Sequence, residues 1–121
     1  MLSLGSNKLN KKPFYFSIDF EDFSFDLTRS IGLEPQSNFE ALELAYEVIN
    51  TFLSEHFINP HITFFTTGTV ARIAPDLLRR IASDGHEIAS HYNYHDLMFK
   101  QTNQEIETNL VAAKESIFKA V

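Results

Sequence analysis

The sequence predicts an α/β fold in which parallel strands alternate with helices, and three observations predict it. Short aromatic and β-branched runs recur at residues 13–19 (PFYFSID), 61–66 (HITFFT) and 86–90 (HEIAS). Amphipathic stretches with apolar residues every three or four positions separate and follow them. Connections of helical length between strands of one sheet imply parallel strands joined by right-handed crossovers. The chain has 121 residues, 44% hydrophobic and 21% charged, which describes one globular domain with a modest core.

Each element has a local reason. Residues 13–19 form an apolar run between a basic leader and an acidic cluster, so this strand is expected to end at carboxylates. Residues 20–36 break the pattern, with Gly32 and Pro35 as punctuation, and read as a loop. Ser37 stands three residues before Glu40, a capping-box spacing, and Leu42, Ala45, Tyr46, Ile49, Phe52 and Leu53 share one face of a helix that runs to about His56. Asn59 and Pro60 break it before the second strand, which a polar link with Gly68 follows. Pro75 suits a first helical turn, Leu77, Leu78 and Ile81 supply an apolar face, and Gly85 offers the left-handed residue that stops the helix. The third strand starts at once and ends at His91. Thr102 and Glu105 form a second capping-box spacing ahead of Ile106, Leu110, Ala113 and Ile117, on a helix that reaches Val121 without a stop signal.

Composition excludes several functions. Ten Lys and Arg against 16 Asp and Glu leave a formal net charge of −6, which disfavours nucleic acid and anionic membrane surfaces as partners. No cysteine is present, so disulfides, thiolate ligands and a cysteine nucleophile are excluded, and His, Asp and Glu remain as the strong metal ligands. Residues 1–12 (MLSLGSNKLNKK) form a polar leader unlike a secretory signal. No stretch approaches the length of a transmembrane segment, and the expected location is cytoplasmic.

In parallel α/β folds, ligands bind at the C-terminal ends of strands. Those ends carry Asp19, Glu21 and Asp22 after the first strand and His91 and His95 after the third. Two histidines four residues apart can share a face of one helical turn and hold a divalent ion, a carboxylate completing the set and leaving water positions open. A further carboxylate beside that water can take its proton. Taken alone, such a histidine pair is more often a surface or capping feature, and an acidic cluster is more often a solvated loop. Placement at strand ends favours the functional reading. His86, at the opposite end of its strand, reads as a hydrogen-bonded structural histidine, His56 and His61 read as structural too, and Phe14, Phe16, Phe64 and Phe65 read as core.

These residues carry a family resemblance. Residues 84–102, DGHEIASHYNYHDLMFKQT, are very similar to the second motif region of polysaccharide deacetylases, the NodB-homology or carbohydrate esterase family 4 domain, in which a Gly-His-Glu-Ile strand leads to two metal-binding histidines. SIDFEDF at 17–23 resembles the first motif, in the Asp-x-Glu-Asp form of deacetylases linked to exopolysaccharide and lipopolysaccharide gene clusters. ITFFTTGTVARIAPDLLRRIAS at 62–83 resembles the family's second strand and helix, so the similarity spans residues 13 to 118.

The resemblance implies the N-terminal portion of a distorted (β/α) barrel, with residues 13–121 a partial domain that ends before the later motifs, an Arg-Pro segment and a late general-acid histidine among them. Asp19 matches the catalytic base, and His91 and His95 match the imidazole ligands. The third ligand is Glu21 or Asp22. Phe20 stands where many members have a second Asp; Glu21 projects with Asp19 if the strand continues, whereas Asp22 needs the chain to turn. Tyr92 replaces the Ser or Thr that usually follows the first metal histidine. The implied reaction is metal-dependent hydrolysis of N-acetyl groups on amino sugars of a polysaccharide or oligosaccharide, with zinc as the expected ion and Asp19 taking the proton of the attacking water. The piece alone is expected to be inactive, with an open sheet edge. Alternatives are an allantoinase-like C–N amide hydrolase of the same fold, which need not use metal, and a non-catalytic carbohydrate-binding remnant, which would not need Asp19. A magnesium-dependent phosphotransfer domain lacks its Gly-rich loop here.

Overall fold

The structure is a computed structural model that describes residues 15–22, 24–34 and 39–121. Three strands, β1 (Ser17–Phe20), β2 (Thr63–Thr66) and β3 (Glu87–Ser90), form one parallel sheet in the order β1-β2-β3. The helices are α1 (Ser24–Ile31), α2 (Phe39–His56), α3 (Gly68–Ile73), α4 (Pro75–Ser83) and α5 (Asn103–Ala120), with a single 3₁₀ turn at Met98–Lys100. The α/β class and the parallel pairing agree with the sequence reading. Residues 1–14, including the leader, Pro13 and Phe14, lie outside the described residues, as do Pro35 and Ser37 with the expected 37–40 capping box.

The central strand organises the core. Phe64 is fully buried, with Phe20 of β1 edge-on at 5.5 Å and Tyr46 of α2 at 5.8 Å between ring centroids. Leu42 and Leu53 of α2, Val70 of α3, and Leu77, Leu78 and Ile81 of α4 close around it. Along α2 the buried positions Leu42, Tyr46 and Leu53 are spaced at helical intervals, with Ile49 partly buried between them. Tyr46 donates its hydroxyl to Asp84, and burial followed by this bond pushes the phenol far above its ordinary value. On α4, Pro75 opens the first turn and Gly85 at φ +93° follows the last, donating its N–H to the carbonyl of Ala82 at 3.0 Å. The capping box of α5 forms as read: Glu105 N–H donates to Thr102 Oγ1 and Thr102 N–H to Glu105 Oε2.

Several expectations are corrected. Residues 20–36 are not a loop throughout, because α1 forms within them; its Asp26 and Arg29 pair one turn apart, and Gly32, at φ +68°, donates its N–H to Thr28 at 2.9 Å. The link at Gly68 is the short helix α3, whose N-cap Thr67 accepts from Val70 N–H. Phe16 is 44% exposed beside an edge strand, and Phe65 is only partly buried, so neither belongs to the core as Phe64 does. Ala45 and Phe52 turn outward on α2. Leu110 is half exposed; of the expected face Ala113 and Ile117 do pack, joined by Ala120, and the two alanines admit a close approach of α5 to α3 and α4. The end of α5 is held in a way no local signal announces, since Arg79 of α4 donates to the Ala120 carbonyl at 2.8 Å.

Among the histidines, His56 Nδ1 meets the Phe52 carbonyl and His61 Nδ1 meets that of Gly85, both structural as read. His86 is buried at 7% exposure but not hydrogen-bonded: neither ring nitrogen has a partner among the described residues, and the ring lies 5.4 Å from Phe64. Burial holds it below its ordinary 6.5, with Asp84 opposing and His61 adding to the effect. Among the described residues, no helix is long and apolar enough to cross a membrane.

His86 therefore makes stability depend on pH with a definite sign. The unfolded chain takes up a proton near pH 6.5 while the folded chain resists it, so stability is complete above that value and falls as pH drops below it, by at most about 1.4 kcal/mol per pH unit. Thermal melts at pH 8 and pH 5.5 should show a steeper loss in the natural chain than in His86→Leu. Equal losses would assign the acid sensitivity to other groups.

Candidate metal centre and active site

Strand register brings the chemistry together. Phe20, Thr66 and Ser90 stand level at the C-terminal edge, so the residues that leave β1 and β3 emerge beside each other. Alternation along β1 buries Phe20 and turns Asp19 outward, and Glu21, two residues beyond Asp19, follows on the same side. Asp19 thus lies inside β1 rather than past its end. His91 continues the β3 ladder by one bond, its N–H donating to the Thr66 carbonyl at 2.7 Å.

The segment from His91 to His95 is not a helical turn, as the i, i+4 spacing suggested. It bends at Tyr92, a non-glycine residue at φ +71°, and its backbone is fastened to the start of α3. Gly68 N–H donates to the Tyr92 carbonyl and Thr69 N–H to that of Asn93, both at 2.9 Å. Asn93 is the centre of this fastening: its Oδ1 accepts from Arg72 at 2.8 Å and its Nδ2 donates to Asn109 of α5 at 2.9 Å. Tyr92 donates its hydroxyl to Gln101 at 2.7 Å. The bend, not helical periodicity, sets the two imidazole rings 5.7 Å apart.

Glu21 completes the cluster. Its Oε2 lies 3.6 Å from His91 Nε2 and 3.7 Å from His95 Nδ1, and one donor atom from each of Glu21, His91 and His95 falls within 4.8 Å of the others. Ligand atoms each about 2.1 Å from one ion, at tetrahedral or octahedral angles, stand roughly 3.0–3.5 Å apart. The Glu21–His91 pair is close to that spacing, and a ring nitrogen of His95 lies within 4.8 Å of both. Glu21 Oε2 is also buried without a hydrogen-bond partner among the described residues, a placement that costs free energy unless something positive meets it. Burial raises the Glu21 carboxyl above its usual range; the two histidines pull it back, and Asp26 and Asp19 push it further up. The donor set and this orphaned oxygen fit a divalent ion.

The remaining acids differ. Asp22 is 8% exposed and accepts from Ser24 Oγ at 2.7 Å, so it is turned into α1's first turn and is not one of the three clustered donors. Asp19 has a 64% exposed side chain with its Oδ1 3.8 Å from His91 Nδ1, beside the cluster and open to solvent. Two residues that sequence reasoning missed also reach it: Asp26 Oδ2 lies 3.0 Å from His95 Nδ1, and Arg29 donates to Asp26 and to the His95 carbonyl. The available signal was the Asp26/Arg29 spacing ahead of Gly32.

The sequence profile of the Polysaccharide deacetylase family matches residues 40–121, two thirds of the chain and both histidines. The chain belongs to the polysaccharide deacetylase family. It is similar to the chitooligosaccharide deacetylase of Rhizobium leguminosarum bv. trifolii, 26% identical over 93% of this chain and 50% of the relative. It is similar as well to the chitooligosaccharide deacetylase of Sinorhizobium fredii (strain NBRC 101917 / NGR234), 32% identical over 54% of this chain and 29% of the relative. Peptidoglycan-N-acetylmuramic acid deacetylase PdaA of Bacillus subtilis (strain 168) is 32% identical over 47% of this chain and 22% of its own length. The chain spans half the length, or less, of these curated relatives. No solved structure matches it.

The geometry makes Gly68 intolerant of a side chain. A Cβ there would fall 2.4 Å from Asn93 Oδ1 and 3.2 Å from the Asn93 carbonyl, displacing the residue that fastens the histidine segment. Gly68→Ala should cost about 1–3 kcal/mol of stability, the range for overpacking, readable as a lowered denaturation midpoint. A midpoint equal to that of the natural chain would mean that the Asn93 fastening yields without cost.

Proposed function

We propose that the chain carries the metal centre and catalytic base of a deacetylase that removes N-acetyl groups from amino sugars of a polysaccharide or oligosaccharide. The observation that carries this reading is the convergence of Glu21, His91 and His95 beside an exposed Asp19 in a chain of the polysaccharide deacetylase family. The names of its relatives, chitooligosaccharide and peptidoglycan deacetylases, support the substrate class. Glu21, rather than Asp22, is the proposed carboxylate ligand, and zinc is the proposed ion because a set of two imidazoles and one carboxylate suits it.

A bound zinc ion would supply Lewis acidity toward the acetamide carbonyl and the attacking water. The chain's own residues do the rest. His91 and His95 act as neutral donors, and Glu21 contributes the negative charge that offsets part of the ion's charge. Asp19 accepts the proton that the attacking water loses, and its exposure leaves it open to that water and to the substrate. The water oxygen forms the new bond to the acetyl carbon, the C–N bond breaks as the proton taken by Asp19 is returned to the departing nitrogen, and acetate and the sugar amine are released.

Two measurements test this. Equilibrium dialysis of residues 1–121 against zinc should give one tightly bound ion, lost in the His91→Ala/His95→Ala variant; equal stoichiometry in both would show that the centre is misassigned, and no binding in either would favour a metal-independent amide hydrolase of the same fold. In the longest gene product that carries this chain, Asp19→Asn should retain zinc while acetate release from N-acetylglucosamine oligomers falls at least about a hundredfold, the lower end for a general base. Loss of zinc together with activity would make Asp19 a ligand instead.

A further inference from the structure

We infer that Asp26 and Arg29 form a positioning clamp for His95, a role that rests on the metal centre proposed above and extends it to α1. Three contacts argue for it together. Asp26 Oδ2 lies 3.0 Å from His95 Nδ1, within hydrogen-bond distance. Arg29 donates one guanidinium nitrogen to the other Asp26 oxygen, and its second nitrogen to the His95 backbone carbonyl at 3.2 Å. Two residues one turn apart on α1 thus grip both the ring and the backbone of His95, across 69 and 66 residues of sequence.

The grip answers a need that the rest of the fold leaves open. His91 is held by the strand ladder, and the bend at Tyr92 and Asn93 is held by α3 and α5. His95 lies at the far end of that segment with a 40% exposed side chain. An imidazole that is free to rotate would lose orientational entropy each time it bound an ion, whereas a carboxylate that accepts from one ring nitrogen selects the tautomer, aims the other nitrogen's lone pair and makes it more basic. Of the two carboxylates near Nδ1, Asp26 at 3.0 Å is closer than Glu21 at 3.7 Å, so Nδ1 carries the proton and donates it in a hydrogen bond to Asp26, which leaves Nε2 as the nitrogen that would face an ion. Arg29 keeps the Asp26 carboxylate in one orientation and balances its charge, so the clamp adds no net charge beside Glu21. Asp26 and Arg29 are positioning residues and touch no reacting atom.

Zinc affinity, read by competition with a chromophoric chelator on residues 1–121, tests the clamp alongside the visible spectrum of the cobalt-substituted centre. Asp26→Ala should weaken zinc about 10- to 100-fold and alter the cobalt spectrum, while Asp26→Asn, whose amide oxygen still accepts from Nδ1, should stay within severalfold of the natural chain. In Asp26→Ala/Arg29→Ala, which removes the stranded guanidinium charge, affinity should remain low. Natural affinity in Asp26→Ala would overturn the clamp, and so would recovery in the double variant, which would reduce the effect to charge. A loss in Asp26→Asn as large as in Asp26→Ala would make Asp26 a ligand. If the natural chain itself holds no stoichiometric zinc, the centre fails and the clamp with it; a centre that binds zinc and depends on His91 and His95 yet ignores Asp26 refutes the clamp alone.

Discussion

The parallel ladder of β2 with its two neighbours is the constraint from which the rest of the structure follows. Its register sets Phe20, Thr66 and Ser90 at one level, and parallel direction means that both neighbours release their chains at the same edge. An antiparallel partner would have carried the histidines to the opposite edge from Glu21. The ladder in turn depends on Phe64, which cannot leave its position between Phe20 and Tyr46 without opening the core. A one-residue slip of β2 would exchange Phe64 with Phe65 and face the wrong ring toward α2 and α4.

The site stores electrostatic cost that the core offsets. Glu21, Asp19 and Asp26 bring three carboxylates near two histidines, and Glu21 Oε2 and the neighbouring Asp22 Oδ2 are buried without hydrogen-bond partners among the described residues. Such an arrangement is unfavourable by itself, and a bound cation would compensate it. The rigid part of this organisation is the fastening of the His91–His95 bend by Gly68, Asn93 and Gln101. These residues surround the reactive groups without joining them, and their exchange would change geometry before chemistry.

Family membership and local geometry carry different parts of the functional reading. The family match begins at residue 40 and so includes the histidines but not the acids of β1. The grouping of Glu21 with His91 and His95 comes from the sheet register together with the fastened bend at Tyr92 and Asn93.

Much of the fold was legible in the sequence because its signals are local. The apolar runs at 61–66 and 86–90, the helical spacing of Leu42, Tyr46 and Leu53, Pro75 and Gly85 around α4, and the Thr102–Glu105 box each depend on neighbours within a few residues. The same locality explains the identification of Asp19, His91 and His95 as candidates, since each stands next to a recognisable strand. What only the tertiary structure decided depends on contacts between distant segments. α1 is short and lies between an acidic cluster and the punctuation at Gly32 and Pro35, so it was hidden until Asp26 and Arg29 met His95. Leu110 and Ala113 are indistinguishable as helix-face residues until α3 and α4 choose the smaller. The choice between Glu21 and Asp22 turned on which way the chain leaves β1: continuation of the strand's alternation points Glu21 at the imidazoles, and the bond from Ser24 draws Asp22 into the helix that follows. The sequence by itself determined the three strands, the helices α2, α4 and α5, their order and the residue types available for chemistry. Their mutual aim was determined by packing, because side-chain direction at a strand's end depends on where the chain goes next and that path is set by the core.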